Sequence, residues 1–135
     1  MNWRSIAIGT VGLFVLWSIL DFVIHGQLLG PLYASSPTLF RPMEEMNMKL
    51  LYLTVLVAAL AFTLLYGLNA PRASLRDSFV FGGIYGVSTG FGMGFATYSI
   101  MPIPLNLAYG WFLGAMVEST LAALLLHWVF RPKRT

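Results

Sequence analysis

The sequence contains no cysteine. This excludes disulfides, thiol nucleophiles, iron–sulfur ligation and thiolate zinc sites together. Charge is nearly as scarce. Only 10% of the 135 residues are Asp, Glu, Lys or Arg, so a water-covered globular surface is out of reach. No G-x-S-x-G, H-E-x-x-H, Walker or dinucleotide-binding pattern occurs, and no motif implies a cofactor or commits the chain to catalysis. Lys and Arg outnumber Asp and Glu by eight to five. They form no basic stripe with interleaved aromatics, so nucleic acid is not an expected partner.

What the chain does have is hydrocarbon. It is 58% hydrophobic with a mean hydropathy of +0.76, and its charges crowd into the ends and connections. They leave four uncharged or nearly uncharged stretches long enough to cross a bilayer, at about residues 5–29, 42–68, 78–101 and 105–130. The runs are continuously apolar rather than alternating with period two, which favours membrane helices over a barrel. The expected fold is a single all-α domain, a four-transmembrane-helix bundle. The first run is read as an uncleaved span, because no small-residue cleavage site follows it and Asp21, Phe22 and Val23 continue the helix.

Orientation follows from the basic residues, which favour the cytoplasmic side. Arg4, Arg72, Arg76, Arg131, Lys133 and Arg134 flank one side; Arg41 and Lys49 flank the other. Both termini are therefore expected inside. Trp3, Tyr66 and Trp128 then fall near the inner interface, and Tyr33, Tyr52, Tyr109 and Trp111 near the outer one.

The third span carries Gly82, Gly86, Gly90 and Gly94, three consecutive G-x-x-x-G steps, and the fourth carries Gly110 and Gly114. Small residues four apart let another backbone approach closely. Spans three and four, joined by Met101-Pro102-Ile103-Pro104, are the natural partners, and a seam between two copies is the alternative use.

Ionisable residues inside a span are costly and belong against protein or water. Asp21 and His25 lie four apart on span one, near its outer end, with Ser18 on the same stripe. Antiparallel packing of the first two spans is expected to bring them to Arg41 and Glu45, in a nearly neutral outer-face cluster. That cluster either ties the helices together or binds a ligand, proton or metal. Glu45 and Lys49, four apart, are expected to pair. Glu118 lies near the middle of span four on the ridge of Gly110 and Gly114, with no Lys or Arg at its depth. It is either a polar staple or a proton-carrying carboxyl. Met43 and Met46 share a helix face, a thioether pair of the kind that suits Cu(I), which makes His25, Met43 and Met46 a further metal candidate. A haem held by His25 and His127 is disfavoured, since the two lie in opposite leaflets.

Ile24-His25-Gly26 with Leu29 and Tyr33, Arg41-Pro42 ahead of Glu45-Met46, and Tyr98, Pro102-Ile103-Pro104-Leu105, Leu107-Ala108 and Trp111 together resemble a family of small uncharacterised bacterial inner-membrane proteins with four helices. The resemblance implies the same fold and topology, points at the outer face, and brings no activity. Asn69-Ala70-Pro71-Arg72-Ala73-Ser74 departs from the Gly-rich, charged second connection of that family. With small size and glycine ridges, the expected function is a non-enzymatic accessory or structural subunit, binding the lipid bilayer and another membrane protein or itself. The competing expectation is a small transporter or ion-, proton- or metal-handling protein using Asp21, His25 and Glu118.

Overall fold

The computed structural model describes residues 2–68 and 74–131; Arg72, Lys133 and Arg134 of the charge count lie outside them, as does most of the second connection. The described residues are helical, with no strand, and four helical stretches are long and apolar enough to cross a membrane. The chain is an integral membrane protein with an all-α four-helix bundle.

Helix α1 (Trp3–Asp21) continues without a break into a π-helical stretch, Phe22–Leu28, and a short helix α2 (Gly30–Ala34) turns over its end. Helix α3 spans Met48–Gly67. Helix α4 (Leu75–Phe91) passes through a second π-helical stretch, Gly92–Ala96, into α5 (Thr97–Ile100), and α6 runs from Leu105 to Phe130. Hereafter the end of the bundle with the first and third connections is the loop end; the end with both termini is the terminal end.

Hydropathy predicts one helix from Pro42 to Leu68, and here the structure differs. Met43–Glu45 form a separate 3-10 turn, Met46 is extended, and Asn47 starts α3 by accepting the Leu50 N–H on its side chain at 3.0 Å. An Asx cap stabilises a helix start by about 1 kcal/mol, and this one outcompetes the weaker start signal of Pro42 and the glutamates. The break separates Glu45 from Lys49. Among the described residues no ion pair joins them.

Every glycine of the α4 ridge faces α6. A Cβ on Gly82 would lie 2.5 Å from the Ser119 carbonyl oxygen and 2.6 Å from Thr120 Cα, and one on Gly86 would lie 2.6 Å from Met116 Cα. Gly90 meets Phe112 in the same way, and Gly94 meets the Ala108 carbonyl. With the hydrophobic effect absent between lipid-embedded helices, this close approach supplies the dispersion contact that holds them together. The ridge is filled from within the chain.

The second ridge points elsewhere. Gly110 receives Leu29 and Gly114 receives Ile24, so α6 presents this face to the first membrane-crossing stretch. Gly9 packs on Leu126 at the other end of the same seam. Twenty steps along α1 and its extension, from Gly9 to Leu29, thus match sixteen along α6, from Leu126 to Gly110. The wider turns of the π-helical stretch take up part of the excess.

Two buried clusters divide the bundle. At the terminal end, Leu13, Ala59, Phe62, Tyr66, Ala122, Ala123 and Leu126 interlock with Trp17, Phe81 and Tyr85. At the loop end, Ile24, Leu29, Ile103, Leu107 and Ala108 are covered by Leu32, Tyr33, Leu39 and Phe40 of the first connection. That connection is thus a folded cap rather than a plain loop. Helix α3 reaches only the first cluster; its buried residues begin at Ala59, and Met48–Ala58 is exposed on almost every side.

Candidate functional site

Asp21 is the last α-helical residue of α1, and His25 sits one turn on, within the π-helical stretch. Their side chains approach with His25 Nε2 3.9 Å from Asp21 Oδ1. The third member comes from α6. Glu118 belongs to the ridge of Gly110 and Gly114, and the register set by those glycines carries it to the same level. Eight residues separate Leu29 from Asp21, and eight separate Gly110 from Glu118. Trp17 fixes the alignment from below, its indole N–H donating to the Glu118 backbone carbonyl at 3.1 Å. One ligand atom from each of Asp21, His25 and Glu118 then lies within 4.8 Å of the others.

The triad is built with an asymmetry. His25 Nδ1 is 2.6 Å from the Tyr33 hydroxyl of α2, and that oxygen accepts the Trp111 indole N–H at 2.7 Å. Tyr33 also packs edge-on against Phe40, with centroids 4.9 Å apart. One ring nitrogen of His25 is therefore tethered, which leaves Nε2 aimed at the carboxyls. Burial raises the Tyr33 pKa above its ordinary value; the Trp111 hydrogen bond opposes this and the Asp21 charge adds to it. The phenol stays neutral through the physiological range. On the Glu118 side, Oε1 is buried with no hydrogen-bond partner, as is Ser18 Oγ one turn below Asp21 on the same stripe.

Two carboxyl groups lie beside one imidazole, and among the described residues no Lys or Arg is paired with any of the three. Among the described residues the one ion pair within 4.0 Å is Asp21 with His25. Arg41 is exposed and joined to neither Asp21 nor Glu45, and Glu45 is exposed on its own 3-10 turn. So the structure brings Asp21 and His25 together as the i, i+4 spacing suggests, and replaces Arg41 and Glu45 by Glu118. Met43, 79% exposed, and Met46 lie on or beside that turn. His127 belongs to the other end of the bundle, where its Nδ1 lies 3.4 Å from Ser78 Oγ.

No family model, curated protein or solved structure matches this chain. The chemistry of the site must therefore speak for itself. The residues that sequence reasoning missed are Tyr33 and Trp111 in their role as partners of His25. The available signal was two aromatic polar tips at the same interface as an intramembrane histidine.

Proposed function

We propose that the protein is an ion-handling membrane protein of the bacterial inner membrane, which takes up a cation or proton from the outer side at Asp21, His25 and Glu118. The observation that carries this reading is the convergence of the three ligand atoms within 4.8 Å, with no Lys or Arg among the described residues paired to them. An excess of negative charge inside a span costs several kcal/mol unless a counter-charge arrives. Protons or a metal cation supply one. The side chains of Asp21 and His25 are 40% and 33% exposed, so the site is reachable. Both termini lie in the cytoplasm on this reading, which makes the loop end the outer end. Four helices are few to enclose a pathway, so transport as opposed to binding needs at least two copies.

Two experiments test it. Reporter fusions at residues 35, 73 and 135 should read outside, inside and inside; a periplasmic C-terminus sinks the orientation. In proteoliposomes, a cation- or proton-dependent signal should be present with the wild-type chain and lost with Glu118→Gln. An unchanged signal in that variant sinks the assignment of the site.

The accessory-subunit reading keeps one observation in its favour. The glycine ridges that motivated it are filled internally, but a shallow apolar hollow remains on α4, between Phe79, Val80, Gly83, Ile84 and Val87, with Met116 of α6 beside it. A Cβ on Gly83 would meet nothing within 4 Å. A partner helix fits that hollow as a lipid chain does. Extraction in mild detergent that brings down a stoichiometric partner, lost with Gly83→Leu, supports it.

A further inference from the structure

The proposed ion site sets a narrower requirement than a cation of any kind, because its histidine is held from behind. The Trp111 indole can only donate, so the Tyr33 oxygen is an acceptor in that bond. Its other lone pair and its hydrogen remain for His25. Two arrangements satisfy the 2.6 Å contact. In one, the Tyr33 hydroxyl donates to Nδ1 and the ring proton sits on Nε2, facing Asp21. In the other, Nδ1–H donates to the Tyr33 oxygen and Nε2 presents a lone pair to the two carboxyls. The neutral phenol serves both.

We infer that the triad is a site for a divalent first-row transition metal, bound through His25 Nε2 and one carboxylate oxygen each of Asp21 and Glu118, with Tyr33 and Trp111 as the positioning residues of the histidine. This assignment rests on the ion-handling reading above and adds the class of ion to it. One imidazole nitrogen and two carboxylate oxygens make a borderline-hard donor set, suited to Zn²⁺, Co²⁺, Mn²⁺ or Fe²⁺ rather than to Cu(I), which prefers sulfur. Once both carboxyls are deprotonated, they and a neutral imidazole carry a charge of −2, which a dication cancels in one step. Metal–ligand bonds of about 2.0–2.2 Å put neighbouring donors of a tetrahedral site about 3.4 Å apart. The His25–Asp21 separation of 3.9 Å and the 4.8 Å limit for the whole group are within a side-chain rotation of that value. Glu118 Oε1 is buried and unpartnered, free to serve as the ligand oxygen.

The outer contact of the histidine matches what metal ligands need. A ligating His almost always donates its other ring N–H to a fixed acceptor, which sets the tautomer and the ring plane. Tyr33 is that acceptor, and Trp111 holds Tyr33. Binding selects the tautomer in which Nδ1–H donates to the Tyr33 oxygen and Nε2 gives its lone pair to the metal, so the ring keeps its single proton. Any proton resting on either carboxyl leaves to solvent. Three protein ligands leave at least one coordination position open, which is the pattern of an exchangeable rather than a structural ion.

The test uses the full chain in detergent, stripped with chelator and titrated with Co²⁺, followed by the visible absorption of the bound ion, then with Zn²⁺ in competition. One Co²⁺ per chain is expected, displaced by Zn²⁺ and not by Mg²⁺. Asp21→Asn, His25→Ala and Glu118→Gln should each weaken binding by about 100-fold or more. Tyr33→Phe leaves all three ligands in place, and should weaken it about 10-fold and change the shape of the Co²⁺ spectrum; Trp111→Phe should do the same to a smaller extent. Chromatography reports folding. If His25→Ala does not fold, the Tyr33→Phe spectrum decides, and an unchanged affinity and spectrum there overturn the assignment. So does Co²⁺ binding that persists in Glu118→Gln. If proteoliposomes show a Glu118-dependent proton or monovalent-cation signal while neither Co²⁺ nor Zn²⁺ binds, the ion-handling reading stands and the metal assignment falls. If no Glu118-dependent cation effect of any kind is found, both fall.

Discussion

The two ends of the bundle solve different problems with the same four helices. At the terminal end, four helices meet, Phe62 sits edge-on to Trp17 at 5.5 Å and to Tyr85 at 4.8 Å, and a polar link joins α3 to α4. The Tyr66 hydroxyl is 2.6 Å from Ser78 Oγ, which in turn donates to the Ser74 carbonyl at 2.9 Å. At the loop end, α3 stands away from the rest, both π-helical stretches occur, and the carboxyls of Asp21 and Glu118 lie with no cation beside them. π-Helical turns are rare and cluster at functional sites. Close aromatic packing concentrates at the terminal end, where Thr10 Oγ1 and Thr63 Oγ1 are nonetheless buried without a hydrogen-bond partner. The cluster of ionisable groups lies at the loop end. A protein that tolerates poorly compensated charge in one half needs a half that holds the fold.

The strongest way to break this contrast is to wedge the terminal half apart. Gly82→Val places a side chain against the Ser119 carbonyl oxygen, 2.5 Å from where its Cβ would be, and against Thr120 Cα at 2.6 Å, beside Ala123 of the terminal-end cluster. Backbone cannot swing aside as a rotamer can, so the cost should exceed the usual overpacking range of about 1–3 kcal/mol. Folded protein should not be recovered, or its thermal midpoint in detergent should fall steeply. Gly83→Val, on the open side of the same helix, should stay within about 0.5 kcal/mol of wild type. Equal losses in the two variants would mean that glycine matters here for reasons other than α4–α6 contact.

Much of this was legible in the sequence, and the limits have physical causes. Hydropathy fixes four crossings because the bilayer demands their length, and G-x-x-x-G spacing marks α4 as a partner of α6 because nothing larger than hydrogen fits there. The ridge of Gly110, Gly114 and Glu118 was equally visible, but not which helix it faces. That depends on how far α1 slides along α6, a quantity set by Leu29 and Ile24 seating in two glycine notches. Counting depth from the ends of the apolar runs puts Asp21 near the surface and Glu118 at mid-membrane. Counting from the Leu29–Gly110 contact puts them together. Arg41 looked like the partner of Asp21 because charge complementarity is easy to read in one dimension, whereas the Asn47 cap separates the two helices' ends by a turn and an extended residue. The π-helical stretches have no sequence signature that we can name.

A smaller effect sharpens the comparison at the terminal end. Tyr66→Phe removes the hydroxyl from Ser78, which keeps its bond to the Ser74 carbonyl. Hydrogen bonds between membrane helices average about 0.6 kcal/mol, with a maximum near 1.7. A loss of about 1 kcal/mol is therefore expected from reversible unfolding in mixed micelles, and a value under about 0.2 would show that the terminal end depends on its rings and not on its polar links.

The smallest expected change in stability lies at the loop end, and its sign is the informative part. Glu118→Gln keeps the side-chain volume and replaces one of two adjacent carboxyls by an amide, in a site where no described Lys or Arg is paired. The amide brings two N–H donors within reach of the Asp21 carboxylate, and its oxygen can occupy the position where Glu118 Oε1 has no partner. In metal-free detergent the variant should be as stable as wild type or more stable, by up to about 0.6 kcal/mol, the average worth of one such bond. Addition of Co²⁺ should reverse the order. A ligand present at 100 times its dissociation constant stabilises the folded chain by about 2.7 kcal/mol, and only wild type retains the ligand set. Activity and stability would then pull in opposite directions at one residue, as expected where a site is kept for its chemistry rather than its packing. A Glu118→Gln chain that is plainly less stable than wild type without metal, and responds to Co²⁺ as wild type does, would show that Glu118 is a structural staple and that the two ends differ in degree only.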